Sequence, residues 1–160
     1  MHYQGFPRLL QKMDEVATSL NEEVVMQVGH TGFQSKNARS FVFTNDATEM
    51  EELVRRSRLV VCHGGVASIM LALRMGKPVI AVPRLRRYHE HHDDHQIEVV
   101  QALARQGRIV AIYDIEDLPA TVDAQLKLNP TMDATSLTHI CPSPLLVENL
   151  SAYLHSLANG

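Results

Sequence analysis

Apolar positions along this chain alternate between a helical period and short unbroken runs. Phe6, Leu9, Leu10, Met13, Val16, Ala17 and Leu20 recur at i, i+3 and i+4 and predict an amphipathic helix over 6–20. A strand is expected over 24–28, followed by a loop at Gly29-His30-Thr31-Gly32, and a short strand over 40–44. Asn45 and Asp46 supply polar caps ahead of a helix over 47–57. The run Leu59-Val60-Val61-Cys62 reads as a buried strand and leads into a helix over 66–75, which Gly76-Lys77-Pro78 stops. A strand over 79–82 is closed by Pro83. A helix over 94–106 carries Ile97, Val100, Leu103 and Ala104 on one face and ends at Gly107. A strand over 108–112, a helix over 115–126, a polar loop over 129–142 and a helix over 144–157 complete the pattern.

Strands that are nearly all apolar and alternate with helices indicate a parallel sheet covered on both faces, an α/β class. No repeat, low-complexity tract or linker interrupts residues 1–160, which therefore read as one domain. The order is unusual in opening on a helix, whereas alternating folds ordinarily begin with a strand.

Composition narrows the function classes. The chain is 45% apolar and 21% charged, with a formal charge of −3, so no global field favours nucleic acid. The longest apolar runs fall short of the ~18 residues of a membrane span. Cys62 and Cys141 form no metal-spaced motif, and Cys62 reads as a small apolar residue ending a buried strand, which fits a reduced, cytoplasmic setting.

Candidate chemistry concentrates in two loops. In His63-Gly64-Gly65-Val66-Ala67-Ser68, a glycine turn brings bare backbone amides and a helix N-terminus to one point after a strand, where an anionic group can be held. Gly64 and Gly65 leave room for such a ligand, or serve only a tight strand–helix turn. Ser68, one turn into the helix, offers a hydroxyl. The second loop, Arg84 to Gln96 (RLRRYHEHHDDHQ), follows the next strand. Two loops leaving neighbouring parallel strands on the same edge make a ligand site by geometry. Arg84 is suited to offset diphosphate charge, or is an ordinary surface arginine. Asp94 is a helix N-cap, a ligand contact or both.

These two loops together, as "HGGVASIMLALRMGKPVIAVPR" followed by "EHHDDHQIEVVQAL", resemble the C-terminal, nucleotide-sugar-binding half of the family 28 glycosyltransferases. Within that family the likeness is to the short, stand-alone donor-binding subunits. It extends to "HYQGFPRLL", "QVGHTGF" and "EMEELVRRSRLVVCHGG", and so spans residues 1–118. The resemblance implies a Rossmann-like half of a GT-B fold, a UDP-sugar as donor substrate, and no metal or other cofactor. It also implies a separate membrane-associated subunit that recruits a lipid-linked acceptor, with this chain cytoplasmic and drawn to the inner face of a membrane by that partner. By the same resemblance, Gly64, Gly65, Ser68, Arg84, Asp94, His95 and Gln96 form the donor site. Asp94 and Gln96 stand at positions that contact donor sugar hydroxyls. The catalytic residue is not identified; His63, Glu90 and His91 are the candidates, His63 being equally well read as a structural histidine. His30 with Thr31 and Gly32 forms a lesser loop suited to border the base.

Other readings remain beside this one. His89, His91, His92 and His95 next to Asp93 and Asp94 have the ligand types of a zinc site, although the resemblance requires none. Leu71 stands where many members of the family carry a ribose-gripping Glu, and an apolar side chain accepts no hydrogen bond. It is the feature that favours a degenerate, non-catalytic binding module. The resemblance further implies a first strand with a V-G-T turn ahead of "HYQGF".

Overall fold

The computed structural model describes residues 5–44 and 46–130. The helix expected over 144–157 and nearly all of the loop over 129–142 lie outside the described residues, as does Cys141. Five helices and five strands are described: α1 (Pro7–Ala17), β1 (Val25–Gln27), β2 (Arg39–Phe41), α2 (Ala47–Arg56), β3 (Val60–His63), α3 (Val66–Arg74), β4 (Val79–Val82), α4 (His95–Arg105), β5 (Val110–Ala111) and α5 (Leu118–Leu128). Every strand pairing is parallel.

The pairings form two sheets rather than one, β1–β2 and β3–β4–β5. In register, Val60 lies opposite Val79, His63 opposite Val82, and Ile80 opposite Val110. β4 is buried at all four residues because it feeds two cores. Ile80 and Val82 join Phe6, Leu9, Leu10 and Met13 of the α1 segment, Met26 and Val28 at β1, and Leu118 and Val122 of α5. Val79 and Ala81 point the other way, into a cluster with Val54 of α2, Ile69 and Ala72 of α3, and Val99, Val100 and Leu103 of α4. Alternation along one strand thus puts α1 and α5 on one face and α2, α3 and α4 on the other, the expected α/β layering. Burial of one such Leu or Ile contributes about 1.5–3 kcal/mol.

β3 departs from the expectation of a buried strand. Its four residues are all half-buried, although three are as apolar as those of β4. It has β4 on one side, and no strand pairs with its other edge among the described residues. Cys62 is accordingly half-buried rather than enclosed, and the strand runs one residue further, to His63. Apolar surroundings nevertheless push the Cys62 thiol up to about 12, leaving it protonated and unreactive at neutral pH.

Local chemistry sets the element ends. Pro7 opens α1, where a missing N–H is no loss. The Asp46 carboxylate accepts the Thr48 amide at 2.8 Å and caps α2. Gly107 ends α4 at φ +67°, which lets the Arg108 amide reach back to Leu103 O at 3.1 Å. The helix expected over 115–126 begins as a 3-10 turn at Ile115–Asp117 and continues as α5. Two further 3-10 turns, Gly29–Thr31 and Arg86–Tyr88, fall where loops are expected.

Long-range polar contacts tie the layers together. The Arg58 guanidinium donates to Leu126 O at 2.8 Å and Asn129 O at 2.9 Å, satisfying carbonyls that α5 leaves open. The Asp14 carboxylate, on α1, accepts the Ser35 hydroxyl, the Lys36 and Asn37 amides at 3.1 Å, and the Asn37 side-chain amide at 2.9 Å. These bonds, led by that of Ser35, hold the carboxyl below its ordinary value.

Candidate functional site

The glycine turn and the second loop meet at the carboxyl edge of β3 and β4. Gly64 sits directly under α4: a Cβ placed there would lie 2.9 Å from both Gln96 Cβ and Val100 Cγ2, and 3.2 Å from Gln96 O. Only a residue without a side chain admits that approach. One strand over, the Gln96 carbonyl oxygen Oε1 accepts the Arg84 amide at 3.1 Å, so the α4 start is bonded to the end of β4. His63, Gly64, Gly65, Arg84 and Gln96 are thereby brought into one constellation.

Gly65 occupies the N-cap position of α3, and no side chain caps that helix. Its own N–H donates to His63 Nδ1 at 3.0 Å. The amides of the first α3 turn therefore keep their donor capacity and the positive end of the helix dipole, the arrangement that holds an anion. Ser68 stands half-buried on the same turn of helix.

The His63 bond decides its tautomer: Nδ1 accepts from Gly65, so a neutral ring carries its proton on Nε2. Burial lowers the His63 pKa, the Arg84 charge lowers it further, and a hydrogen bond with Gln96 opposes both. Protonating Nδ1 would break the bond to Gly65. The folded pKa lies below the unfolded value, so the unfolded chain binds the proton first. The stability from this bond is therefore intact above the ordinary imidazole value and is lost as pH falls through the depressed one. We expect His63, in a two-dimensional NMR titration, to titrate below 6.5, with the Gly65 amide resonance moving at the same midpoint. A normal His63 midpoint with an unresponsive Gly65 would contradict the assignment.

Arg84 leaves the end of β4 half-buried, with its guanidinium 5.3 Å from the centroid of the Phe6 ring. Phe6 also takes the Arg8 guanidinium at 5.3 Å. Both are cation–π contacts. Burial pulls the Arg84 pKa down and the Glu90 carboxylate pushes it back; the group stays a cation at neutral pH.

Glu90 has a different place from the constellation. It is 3% exposed and takes Arg8 Nε on Oε1 and an Arg8 terminal nitrogen on Oε2, both at 2.9 Å. Oε2 also accepts the Leu85 amide at 3.0 Å, and Arg8 reaches Pro83 O at 3.1 Å. This bidentate pair clamps the loop after β4 onto the start of α1. Nothing in the spacing of residues 82 apart announces it, and Arg8 and Phe6 are the contributors that sequence reasoning missed.

The remaining candidates lie on the outer side of the loop. Asp94 stands at the N-cap position of α4 without capping it; its carboxylate accepts the Arg86 amide at 3.1 Å. Asp93 does the capping, accepting the His95 amide at 3.2 Å. His95 is exposed, 3.7 Å from Glu98. A shallow concavity of about 330 Å³ is lined by Leu85, Arg87, Asp94, Ile97 and Tyr113 and does not reach the glycine turn. His91 pairs with Asp93 at 2.9 Å and stacks on His92 with centroids 4.3 Å apart. His91, His92 and Asp93 each place a ligand atom within 4.8 Å of the others, while His89 and His95 stand outside that group. His89 closes the preceding 3-10 turn at φ +56°, an uncommon conformation for a residue with a side chain. Across the edge, His30 tilts against Phe43 at 4.6 Å. Leu71 packs beside the α3–α4 core.

The described chain thus joins parallel strands, a helix N-terminus with no side-chain cap and a half-buried cation at one edge. Residues 4–139 match the sequence model of the glycosyltransferase family 28 C-terminal domain. The chain belongs to this family. Similar curated proteins include the UDP-N-acetylglucosamine transferase subunit ALG13 of Cryptococcus neoformans, 36% identical over 91 residues, which are 56% of this chain and 42% of that protein. The mouse protein of the same name is 27% identical over 149 residues, 84% of this chain and 12% of its own length. The UDP-N-acetylglucosamine–N-acetylmuramyl-(pentapeptide) pyrophosphoryl-undecaprenol N-acetylglucosamine transferase of Chlorobium phaeobacteroides is 28% identical over 145 residues, 87% of this chain and 38% of that enzyme. The matched region is thus less than half the length of each. The fold is that of a GT-B C-terminal half, and family membership assigns its α/β layers as such.

Proposed function

We propose that this chain is the donor-binding subunit of a two-component UDP-sugar glycosyltransferase, transferring an N-acetylhexosaminyl or hexosyl group to a lipid-linked or saccharide acceptor. The observation that carries the reading is the joining of the glycine turn to the second loop, through Gly64 against Gln96 and through the Arg84–Gln96 bond. The names of the relatives support N-acetylglucosamine as the transferred sugar and a subunit role.

In this reading the acceptor hydroxyl attacks the anomeric carbon, the bond from that carbon to the diphosphate breaks, and UDP departs with the electron pair. Negative charge grows on the leaving diphosphate, where the first-turn amides of α3 and the Arg84 cation stabilise it. Gly65 and Gly64 keep side chains out of that position. Gln96 hydrogen-bonds the sugar hydroxyls and Ser68 borders the donor, while Asp94 and His95, exposed on the outer side of the loop, meet only a part of the sugar that extends beyond the glycine turn. The reading needs no metal and no further cofactor. No general base is assigned within this chain: Glu90 is committed to Arg8, and His63 Nδ1 to Gly65. The partner subunit supplies it, together with the acceptor site and the attachment to a membrane at whose cytoplasmic face transfer occurs. No described helix is long and apolar enough to cross a membrane itself.

Leu71 favours a second reading, a binding module that no longer turns over, because this half-buried apolar side chain, packed against the α3–α4 core, offers no acceptor to ribose hydroxyls. A transfer assay separates the two. With radiolabelled UDP-N-acetylglucosamine, a polyprenyl-pyrophosphate sugar acceptor and a co-expressed membrane partner, labelled lipid product is expected only when both chains are present. Binding of the partner with no product would establish the non-catalytic module.

A further inference from the structure

Residues 91–93 span the stretch between two fixed points of the second loop. On one side Glu90 is buried and clamped by Arg8. On the other, Gln96 at the start of α4 accepts the Arg84 amide. The three side chains His91, His92 and Asp93 belong to neither anchor and turn toward one another instead. Neighbouring side chains of an extended segment point to opposite sides, yet the His91 and His92 rings stack at 22° with their centroids 4.3 Å apart. The loop has folded both imidazoles to one side.

The Asp93 carboxylate addresses both rings. Its Oδ1 lies 2.9 Å from His91 Nδ1, and its Oδ2 lies 3.7 Å from His92 Nε2. A tetrahedral zinc ion with bonds of roughly 2.0–2.2 Å spaces its ligand atoms about 3.3 Å apart. The two observed separations bracket that value, and a ligand atom from each of the three residues lies within 4.8 Å of the others. The His92 side chain is 81% exposed, so its ring can turn through the remaining distance without disturbing a packed neighbour. Asp93 Oδ1 also accepts the His95 amide at 3.2 Å, a backbone bond of the kind that orients a ligating carboxylate.

The donor set selects the class of ion. Two imidazoles and one carboxylate suit Zn²⁺ and the other late divalent ions, whereas Mg²⁺ and Ca²⁺ take oxygen ligands. Three protein ligands leave the fourth tetrahedral position to water. The neighbouring histidines do not complete the set: His89 stands outside the group, and His95 Nδ1 faces Glu98 at 3.7 Å.

We propose that His91, His92 and Asp93 form a divalent-metal site of the zinc class that staples the loop ahead of α4. Through the Asp93–His95 bond the ion fixes the entry to the helix that carries Gln96. The ion takes no part in sugar transfer, and metal binding is separable from donor binding. Zinc chloride added to the isotope-labelled 160-residue chain in a non-chelating buffer tests the site. Amide shifts over residues 91–95, saturating with a dissociation constant below about 0.1 mM and reversed by a chelator, are expected. His92→Ala and Asp93→Asn should weaken the binding read at these amides by about tenfold or more, and His89→Ala should leave it unchanged. Both His92 and Asp93 lie outside the core, so the variants keep the fold. Binding at these amides weaker than about 0.1 mM would overturn the proposal. So would a loss in His89→Ala equal to that in His92→Ala, which would show only the general affinity of a histidine-rich surface.

Discussion

Glu90→Ala is expected to lose about 3–5 kcal/mol of folding free energy, because it strands the Arg8 guanidinium and the Leu85 amide in a nearly closed site. Arg8→Ala, which orphans the carboxylate instead, should lose a similar amount. The pair is worth less than either loss suggests, since each single change also leaves a buried charge behind. The double variant Arg8→Leu/Glu90→Leu is therefore expected to recover much of the deficit, with Pro83 O and the Leu85 amide still lacking their partners. Urea unfolding followed by circular dichroism gives all three values and, through the double-mutant cycle, the coupling. A Glu90→Ala loss under about 1 kcal/mol, the scale of an exposed ion pair, would show that the clamp is solvated. The result also bears on chemistry: a carboxylate that grips an arginine and an amide is a positioning group for the loop carrying Arg84, not a proton acceptor.

Gly64→Ala and Gly65→Ala are expected to fail in opposite ways. At Gly64 the added methyl meets Gln96 Cβ and the Gln96 carbonyl, which the α4 backbone fixes, and Cγ2 of the fully buried Val100. Such overpacking costs about 1–3 kcal/mol, and Gly64→Val should not fold. At Gly65 the methyl would lie 2.1 Å from His63 Cε1, at the end of a side chain that can swing away. Stability should then change little. The swing gives up the Gly65–His63 bond and pushes a ring or a methyl toward the bare α3 N-terminus. UDP affinity is therefore expected to fall about tenfold, the effect of losing one hydrogen bond of roughly 1.4 kcal/mol. Melting curves and UDP titration of the two variants separate the effects. Equal losses of stability in both would mean that the turn is a packing feature only.

Much of this architecture is legible in the sequence because it rests on local pattern. The helical stripe of α1, the unbroken run of β4 and the Gly107 stop all depend on neighbours within a few residues, and each lies where expected. The meeting of the glycine turn with the Arg84–Gln96 loop was legible because parallel strands deliver their following loops to one edge. What escaped depends on distant partners. The burial of β3 is set by whether a strand lies beside it, which an apolar run cannot report. Glu90 has the exposure of a core residue only because Arg8, far away in sequence, neutralises it. Asp94, read as a helix cap, a ligand contact or both, holds the N-cap position but turns its carboxylate to the Arg86 amide, and Asp93 takes the helix amide instead. The two are adjacent and chemically identical, so no propensity distinguishes them.

The central claim is that the carboxyl edge of β3 and β4 is a nucleotide-sugar site, and adding UDP and UDP-N-acetylglucosamine to the isotope-labelled chain tests it most directly. The account predicts saturable amide shifts at Gly64, Gly65, Val66 and Gln96, a smaller response at Arg84, and no change on adding a chelator. Absence of any response at those residues up to millimolar ligand, or a response confined to His91, His92 and Asp93 and abolished by chelator, would contradict it.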